Sequence, residues 1–412
     1  MAHPQRLDHV VVVGASLAGL RACETLRSSG FAGAITLIGA EAHQPYDRPP
    51  LSKQLLAGIW DVDRVWLRQL QPIDDLGLTT RLGVPATDLD LTARAVVLAD
   101  DTHVPFDGLI VATGTQPRRL PRQLGVANVH ELRTLDDAMS LREVIHRDGA
   151  RLVVVGAGFI GLEVAATARR AGCAVTVVEA AGAPLLRGAG PDIGPLVAAI
   201  HDDEGVAIRC GVNVTGLRAD GVDLGDGSTI AADAIVVGIG VEPATSWLDG
   251  AGLRLGDGLV TRPSLSAGPP GVFAAGDVVR WTNPCFGEEM RVEHWTNAGE
   301  QGALAATNLL AEAAGGTVVD LASVPYVWSD QYDHRVQVVG RVTDPDGSPA
   351  ASEIVLGSVA TRRFVAVYHH AGVIRGALAL NLPRPLMKLR ALIARRAPLG
   401  EARALAEELA AR

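Results

Sequence analysis

The sequence predicts an α/β protein with two copies of a strand–glycine turn–helix unit, followed by a small α+β domain at the C-terminus. A glycine motif that opens such a unit at residues 10–19 returns at residues 152–161. A second pattern, D-x-[LI]-[IV]-V-x-x-G-x-[QE]-P, occurs at residues 107–117 and again at 233–243. Because the two halves begin and end with the same patterns, we interpret them as related Rossmann-like units, each able to bind a dinucleotide.

The elements of the two units follow in the same order. In each unit a β-branched run leads into the glycine turn, and an alanine-containing helical stretch follows it. The helices are predicted to end at Gly30 and Gly172, and further strands follow at 35–38 and 175–178. From about residue 321 the pattern predicts short strands at 324–332, 335–339, 353–356, 363–369 and 373–380, then helices at 385–396 and 400–412.

The composition argues against nucleic-acid and membrane partners. Of the 412 residues, 48% are hydrophobic, which is enough for a buried core in each domain. The formal net charge of −9 is unfavourable for binding nucleic acids or anionic lipids. The longest apolar runs, near 10–20 and 152–162, are about half as long as the roughly 20 residues of a membrane helix. We therefore expect a soluble, cytoplasmic protein.

The cysteines and lysines are both sparse. The four cysteines form no C-x-x-C motif and have no zinc-ligand spacing; they are Cys23, Cys173, Cys210 and Cys285. We therefore expect no bound metal and no dithiol centre. Nearly all basic residues are arginines, and the only lysines are Lys53 and Lys388. This bias draws attention to Lys53.

The second glycine motif fits G-x-G-x-x-G throughout and predicts a dinucleotide whose pyrophosphate lies at a helix N-terminus. It comprises Gly156, Gly158, Phe159, Ile160 and Gly161. The strand that follows ends in Glu179, at the distance expected for a carboxylate that binds a ribose 2′-hydroxyl. No arginine follows directly, which favours NADH over NADPH. Arg187, further along, leaves NADPH open.

The first glycine motif departs from the pattern, because Ser16 replaces the central glycine between Gly14 and Gly19. Serine is small and its hydroxyl can donate a hydrogen bond, but its Cβ crowds a pyrophosphate. The usual position of the ribose-binding carboxylate holds Ala40, with Glu41 one residue later. Alone, this copy is also compatible with a simple strand–helix turn. Its twin favours nucleotide binding.

A polar loop at residues 45–53 contains two consecutive prolines, which predict an extended, non-helical segment. It is either a solvated connector or a stiff arm that directs Lys53 towards a buried cofactor. Glu163 follows the second glycine turn and is expected in the first turn of its helix. It either complements the helix dipole or forms an ion pair with Lys53. The residues alone leave both questions open.

Two further polar residues lie after the second repeat, beyond a Gly-rich stretch that follows residue 243. Asp277 follows a buried strand, at the edge where α/β sheets bind ligands, although it could equally be a helix N-cap. His294 is the one group of its segment expected to titrate near neutral pH. A lone histidine is more often structural than catalytic.

Together these segments resemble the FAD-dependent NADH:ferredoxin reductases of oxygenase systems, in the pyridine nucleotide–disulfide oxidoreductase superfamily. The resemblance extends over nearly the whole chain. It is most specific at residues 45–53 and in the Trp-Ser-Asp-Gln-Tyr segment 328–332. It implies a glutathione-reductase-like fold, with a discontinuous FAD-binding domain at 1–115 and 245–320. An NADH-binding domain at 116–244 and a C-terminal domain at 321–412, covering the flavin, complete the implied architecture.

The resemblance also implies roles for individual residues. Lys53 and Glu163 are expected to pair near flavin N5, and Trp328 to lie on the nicotinamide side, as the catalytic residues. The implied FAD-binding residues are Gly14, Ser16, Ala18, Gly19, Glu41, Arg48, Lys53, Ala86, Thr113, Gly114, Arg133, Gly276, Asp277 and Trp295. The implied NADH-binding residues are Gly156, Gly158, Phe159, Ile160, Gly161, Glu163, Glu179, Arg187 and Gly240.

The implied activity is electron transfer from NADH through FAD to a [2Fe-2S] ferredoxin. The ferredoxin would then supply a cytochrome P450 or a Rieske-type ring-hydroxylating dioxygenase. Docking of an acidic ferredoxin requires a local basic patch, for which the candidates are Arg118, Arg119, Arg122, Arg335 and Arg384. The alternatives are a rubredoxin reductase and a slow redox-sensing flavoprotein resembling apoptosis-inducing factor. A thiol-dependent NADH oxidase is disfavoured, since residues 38–53 contain no cysteine.

Overall fold

The computed structural model describes residues 6–67, 73–121, 123 and 126–410. The chain forms two compact units. The first comprises Met1–Asp47, Trp66–Gln116 and Glu242–Pro325. The second comprises Arg48–Val65, Pro117–Val241 and Tyr326–Arg412. Residues 48–65 therefore cluster with the second unit, although they lie within the sequence range assigned above to the first domain.

The secondary structure of the described residues is as follows. The α-helices are α1 (Leu17–Ser28), α2 (Leu135–Ile145), α3 (Phe159–Arg170), α4 (Leu186–Asp203), α5 (Trp295–Ala313), α6 (Pro383–Ala394) and α7 (Leu399–Ala410). The strands are β1 (His9–Val13), β2 (Ala34–Gly39), β3 (Thr79–Leu82), β4 (Ala86–Asp90), β5 (Ala95–Leu98), β6 (His103–Pro105), β7 (Gly108–Val111), β8 (Thr115–Pro117), β9 (Val129–His130), β10 (Arg151–Val155), β11 (Ala174–Glu179), β12 (Ala207–Cys210), β13 (Val214–Arg218), β14 (Gly221–Leu224), β15 (Thr229–Ala231), β16 (Ala234–Val237), β17 (Val241–Pro243), β18 (Leu255–Gly256), β19 (Gly258–Thr261), β20 (Val272–Ala274), β21 (Val279–Asn283), β22 (Glu288–Arg291), β23 (Tyr326–Gln331), β24 (His334–Gly340), β25 (Ala351–Ser358), β26 (Arg363–His370) and β27 (Val373–Leu380).

The first unit is built around a parallel sheet with the strand order β20-β7-β1-β2-β3. β1 lies in its centre, and its four consecutive valines are almost completely buried. A continuous β-branched run of this kind is typical of a parallel strand covered on both faces. α1 and α5 pack against each other beside this sheet. The unit also contains the antiparallel sheet β4-β5-β6 and the mixed sheet β18-β19-β21-β22, in which β19 and β21 are parallel.

The second unit contains an equivalent parallel sheet, with the order β12-β11-β10-β16-β9. Next to it in sequence is the antiparallel sheet β13-β14-β15, and the C-terminal part forms a five-stranded antiparallel sheet, β23-β24-β27-β26-β25. One apolar core contains residues from α3, α4 and β10 together with residues from β24, β26 and β27. The C-terminal sheet and the parallel sheet therefore share a core within this unit.

The aspartate that begins each copy of the second repeated pattern anchors the start of a central strand. The Asp107 carboxylate accepts the His9 backbone N–H at 2.8 Å, and the Asp107 N–H donates to the His9 carbonyl at 2.8 Å. Asp233 makes the same two contacts with Arg151, at 2.8 and 2.9 Å. The repeat thus joins β7 to β1 in one unit and β16 to β10 in the other.

This anchor predicts a small pH dependence of stability. Hydrogen bonds from the Arg151 guanidinium and backbone lower the pKa of Asp233 to about 2. The corresponding stability is present above the ordinary aspartate pKa of about 4 and is lost as the pH falls towards 2. Because the pair is half exposed, we expect no more than about 1 kcal/mol.

The measurement compares urea midpoints of the wild type and Asp233→Asn at about pH 5 and about pH 3. The difference between the two proteins should shrink at the lower pH. Asp202→Asn, at an exposed aspartate of α4, serves as the control. A difference that is the same at both pH values contradicts the assignment.

The proline segment departs from the prediction. Pro49–Ser52 forms a 3₁₀ turn, in which the Leu51 N–H donates to the Arg48 carbonyl at 2.9 Å. The expectation of an extended segment was wrong. Prolines lack an N–H and have φ fixed near −65°, so they are well tolerated at the first positions of a helical turn, where N–H groups have no partner.

The strands and helices expected in the C-terminal part are present, with shifts of a few residues at their ends. The turn between β26 and β27 is a two-residue hairpin in which Ala371 and Gly372 both have positive φ, as a type I′ turn requires. No helix among the described residues is both long and apolar enough to cross a membrane.

Candidate functional site

The glycine turn of the second unit leaves open space at the N-terminus of α3. A Cβ on Gly156 would lie 2.3 Å from the Gly238 carbonyl oxygen, and one on Gly161 would lie 2.1 Å from the Gly156 carbonyl oxygen. These two glycines therefore allow close backbone packing. A Cβ on Gly158, in contrast, would meet no atom within 4 Å. Space in front of unpaired helix N–H groups fits a pyrophosphate.

Glu179 lies at the end of β11, directly beside this turn. Its two carboxylate oxygens accept the backbone N–H of Ala157 at 2.7 Å and of Ala181 at 2.8 Å. The carboxylate is thereby held in one orientation at the carboxyl edge of the sheet. Arg187 lies near Gly240, where an added Cβ would be 3.6 Å from a guanidinium nitrogen. The turn, Glu179, Arg187 and Gly240 therefore all belong to the second unit.

Two hydrophobic side chains follow Gly158 at the start of α3. The Phe159 ring packs closely over Gly188. A Cβ added to Gly188 would lie 2.5 Å from a carbon of that ring. Ile160 is one of the few large hydrophobic side chains that are more than half exposed, at 51%. An exposed isoleucine at the entrance of a glycine turn is consistent with a surface that a ligand covers.

The first unit contains the corresponding turn at the N-terminus of α1. A Cβ on Gly14 would lie 2.1 Å from the Ala112 carbonyl oxygen, and one on Gly19 would lie 1.9 Å from the Gly14 carbonyl oxygen. Ser16 is the N-cap residue of α1, but its side chain makes no capping hydrogen bond. Ala18 packs close to Gly276, where a Cβ would be 3.0 Å away. The two flanking glycines therefore allow the same close backbone packing as in the second unit, and the Ser16 hydroxyl is not used to cap α1.

Three other predicted FAD-binding residues of the first unit follow strands of its parallel sheet, and a fourth does not. Glu41 follows β2 and accepts a hydrogen bond from the Tyr46 hydroxyl. Thr113 donates to the Ala244 carbonyl at 2.8 Å, and Gly114 has a φ of +68°. Ala86 is the first residue of β4, in the antiparallel sheet. Ala86 therefore belongs to a different sheet of this unit.

The Gly276-Asp277 turn and the start of α5 add a polar cluster to the first unit. The Gly276 N–H donates to the side chain of the fully buried Gln301 at 2.8 Å. The Trp295 indole N–H donates to Asp47 at 2.6 Å. Asp277 leads into β21 and begins no helix. The interpretation as a helix N-cap was wrong, since α5 begins at Trp295 and has His294 as its N-cap residue.

Lys53 and Glu163 form a buried ion pair within the second unit. The Lys53 Nζ lies 2.7 Å from the Glu163 Oε2, and the two side chains are 11% and 2% exposed. Ser52 donates to the same carboxylate, and Thr167 of α3 donates to the Ser52 carbonyl at 2.7 Å. The loop that carries Lys53 is therefore attached directly to α3. Of the two roles considered for Lys53, the solvated connector is excluded.

The position of Glu163 in α3 argues against a role in complementing the helix dipole. The helix begins at Phe159, so Glu163 lies beyond the first turn, which contains no acidic residue. The expectation of a first-turn position was wrong, because the glycine turn continues to Gly158. A carboxylate in the second turn contributes little to the helix dipole.

Arg48 donates to the Arg133 carbonyl, so these two predicted FAD-binding residues also lie in the second unit.

Alternate residues of β23 point to opposite faces of the C-terminal sheet, as in any strand. Tyr326 and Trp328 share one face, where their rings stack with centroids 6.0 Å apart. Ser329 and Gln331 share the other face and are completely buried. Ser329 donates to the Glu163 carboxylate at 2.6 Å. Trp328 and the polar residues that hold Glu163 therefore come from one strand.

Most of the candidate docking arginines are hydrogen-bonded or ion-paired within the second unit. Arg119 forms a salt bridge with Glu131, and Arg335 forms one with Asp330. Arg118 donates to the Val241 carbonyl. Arg384 lies on the exposed side of α6. Arg122 lies outside the described residues.

The described residues contain no cluster of side chains with the composition of a metal site. Burial raises the pKa of the Cys23 thiol to about 12 and also raises the pKa of Cys173 and Cys210. A thiol is reactive as its thiolate, and these shifts disfavour that form. They give no support to a thiol-based redox centre.

Sequence reasoning missed several residues that organise these sites. Ser52 and Ser329 both bind Glu163, Asp47 holds Trp295, and Gln301 holds Gly276. Ser52 and Asp47 lie in the 45–53 loop and Ser329 in the 328–332 segment, so their positions carried a signal. Their partners depend on tertiary packing and could not be read from the pattern.

The chain is similar to known proteins over nearly its full length. A model of the pyridine nucleotide-disulphide oxidoreductase family matches residues 8–302, and a reductase C-terminal model matches 326–411. Rhodocoxin reductase of Rhodococcus erythropolis is 36% identical over 396 residues, 95% of this chain and 90% of that protein. Putidaredoxin reductase of Pseudomonas putida is 32% identical over 403 residues, 95% of this chain and 93% of that protein.

Solved structures agree with these matches. The ferredoxin reductase for the CYP199A2 system of Rhodopseudomonas palustris has a TM-score of 0.89 and 33% identity, over 98% of this chain and 100% of that chain. A chain of the covalent putidaredoxin reductase–putidaredoxin complex gives 0.88 and 31%, over 97% and 99%. The resemblance and the fold class expected from the sequence are thus confirmed. This chain belongs to the pyridine nucleotide-disulphide oxidoreductase family.

Proposed function

We propose that this protein is an FAD-dependent NADH:ferredoxin oxidoreductase that supplies electrons to an oxygenase through a [2Fe-2S] ferredoxin. The family uses FAD and NAD(P)H. The observation that carries the proposal is the presence of two glycine cradles in one chain, one at the start of α1 and one at the start of α3. Relatives whose names specify ferredoxin reductase components support the acceptor.

The cofactor residues act by binding and orientation. In the first unit, the turn at Gly14–Gly19 and the N-terminus of α1 would hold the FAD pyrophosphate. In the second, the open space at Gly158 would admit the NADH pyrophosphate, and Glu179 would bind the adenosine ribose. When bound, FAD supplies the chemistry of accepting a hydride and returning its electrons one at a time.

The ion pair contributes fixed electrostatics. Lys53 and Glu163 place opposite charges 2.7 Å apart in a nearly dry environment, where their interaction is stronger than in water. We propose that this pair lies beside the reacting end of the flavin and that Trp328 lies on the side where the nicotinamide binds. The proposed reaction needs no acid–base triad, because the two coenzymes would supply the hydride chemistry and the residues of the chain would bind and orient them.

The test is stopped-flow mixing of the purified yellow protein with NADH or NADPH, followed by a panel of ferredoxins. We expect NADH to bleach the flavin faster than NADPH, and cytochrome c reduction to depend on added ferredoxin. Reduction that depends on rubredoxin instead identifies a rubredoxin reductase. Slow bleaching without any ferredoxin dependence indicates a redox-sensing flavoprotein. A cytoplasmic location, where NADH is abundant, is part of the proposal and is tested by cell fractionation.

Glu179 gives a specific prediction about the choice of coenzyme. Glu179→Ala removes the carboxylate that repels a 2′-phosphate, so the preference for NADH over NADPH should fall by about tenfold. The measurement is the ratio of kcat/KM for the two coenzymes. Asp220→Ala, an exposed acid of the same unit, should leave the ratio unchanged. An unchanged ratio in the Glu179 variant refutes its assigned role.

A further inference from the structure

A continuous series of hydrogen bonds leads from the Lys53–Glu163 pair into the interior of the second unit. Ser329 Oγ donates to Glu163 Oε1 at 2.6 Å, and Gln331 Nε2 donates to Ser329 Oγ at 3.0 Å. Beyond Gln331, its Oε1 lies 2.9 Å from His201 Nε2. We call the residues Glu163, Ser329, Gln331, His201 and Tyr332 the interior chain.

The last member closes the series. The Tyr332 hydroxyl lies 3.1 Å from His201 Nδ1, and the two rings meet edge to face. Ser329, Gln331 and His201 are all completely buried. Burying polar groups is costly unless each is hydrogen-bonded, so three of them in series mark a network that is either fully satisfied or unstable.

The contacts fix the direction of every hydrogen bond. Since the Gln331 amide nitrogen donates to Ser329, its oxygen must accept from His201. His201 therefore carries its proton on Nε2, and its Nδ1 accepts from the Tyr332 hydroxyl. Burial lowers the pKa of His201, which favours this neutral form. Each member thus donates towards Glu163.

The two oxygens of Glu163 are served by different groups. Oε2 accepts from Ser52 and from Lys53, whereas Oε1 accepts from Ser329. The hydrogen bond to Oε1 is therefore donated by a member of the interior chain, Ser329. A donor whose own oxygen accepts another hydrogen bond is more strongly polarised.

We propose that Ser329, Gln331, His201 and Tyr332 are positioning residues for the Lys53–Glu163 pair. Their hydrogen bonds, all directed towards one carboxylate oxygen, keep Glu163 ionised and hold it in a fixed orientation towards Lys53. The inference deepens the proposed function, in which this pair provides the charges beside the flavin. It extends the residues that support that site to α4, to β23 and to Tyr332, which directly follows β23.

The proposal has a direct consequence for the proton affinity of Glu163. Without the Ser329 hydroxyl, the buried Oε1 loses the donor found among the described residues, and hydrogen bonds to a charged group are stronger than those between neutral groups. One factor of ten corresponds to about 1.4 kcal/mol. The proton affinity of the carboxylate should therefore rise about tenfold in Ser329→Ala.

The scarcity of lysine makes this measurable. Protein labelled with ¹³C at the lysine ε-carbon gives two signals, one from Lys53 and one from the exposed Lys388. In the FAD-loaded holoprotein, the Lys53 signal reports the charge of Glu163, 2.7 Å away. Lys388 is the internal control. The readout is the pH midpoint at which the Lys53 signal shifts.

The expected effect of each variant decreases with the distance of the residue from Glu163 along the interior chain. The midpoint gives the proton affinity of Glu163. We expect this affinity to rise about tenfold in Ser329→Ala, about threefold in Gln331→Met, and by less in Tyr332→Phe. Gln337→Met and Tyr368→Phe are the matched controls, since Gln337 and Tyr368 are buried in the same sheet and hydrogen-bonded outside the interior chain. Ser329→Thr keeps the hydroxyl and should retain the wild-type midpoint.

The outcomes separate this inference from the proposed function. A change of less than twofold in Ser329→Ala overturns it, as does a Gln331→Met midpoint no different from that of Gln337→Met. The same holds if the Lys53 signal shows no inflection in any variant. Because the readout needs no turnover, a protein without ferredoxin activity but with graded midpoints refutes the proposed function and leaves the positioning role intact.

Discussion

Replacing Lys53 with methionine is expected to slow the reduction of bound flavin by NADH about 100-fold. The substitution removes the cation of a pair whose side chains are 11% and 2% exposed and leaves the Glu163 carboxylate buried without a counter-charge. Breaking a buried pair in this way costs about 3–5 kcal/mol of folding stability. Loss of the fixed positive charge should also raise the barrier to flavin reduction, because preorganised charges stabilise the transition state. About 2.7 kcal/mol at the transition state corresponds to 100-fold in rate.

The measurement is the rate of flavin bleaching after stopped-flow mixing with saturating NADH. Lys388→Met removes the other lysine, on the exposed side of α6, and is the matched control. Glu163→Gln keeps the shape and the hydroxyl contacts but removes the negative charge, and should also slow the reaction. If Lys53→Met bleaches as fast as Lys388→Met, the ion pair has no part in the reaction.

Gly158→Val is expected to raise the KM for NADH at least 50-fold while the protein stays folded and yellow. Gly158 has a φ of −80° and a ψ of 178°, which any residue adopts, and a Cβ there meets no atom within 4 Å. The Cβ of the new side chain therefore meets no other atom of the fold. It occupies the space in front of α3 that the NADH pyrophosphate is proposed to enter.

Gly400→Val is the matched control, because Gly400 is also exposed and a Cβ there meets no atom within 4 Å. It should leave the KM unchanged. The flavin content of both variants should equal that of the wild type, since the first unit is untouched. A normal KM in Gly158→Val contradicts the assignment of α3 to NADH, whereas loss of flavin contradicts the assignment of FAD to the other cradle.

The parallel sheets were predictable because their signals are local and repeated. The buried valine runs, the glycine turns and the closing glycines mark β1, α1, β10 and α3 without knowledge of tertiary contacts. The sheets β4-β5-β6 and β18-β19-β21-β22 were not predicted, since their strands are short and pair in patterns that depend on the rest of the fold. The 3₁₀ turn at Pro49–Ser52 was missed because prolines permit both extended and first-turn geometry.

The site divides along the same line. The glycines and Glu179 could be assigned from spacing, since a dinucleotide needs them at fixed distances from the strand ends. The Lys53–Glu163 pair was left as one of two alternatives and needed the structure, because 110 residues separate the partners. Ser329 and His201 could not be connected by any sequence rule. Buried partners of this kind are selected by three-dimensional packing.

The amide of Gln331 has one more consequence for the interior chain. A carboxamide cannot accept a proton on one side and release it on the other, as a hydroxyl or an imidazole can. The interior chain therefore stabilises the charge of Glu163 through its hydrogen bonds but does not conduct protons. A proton at the Tyr332 end of the series therefore cannot be relayed to Glu163 through Gln331.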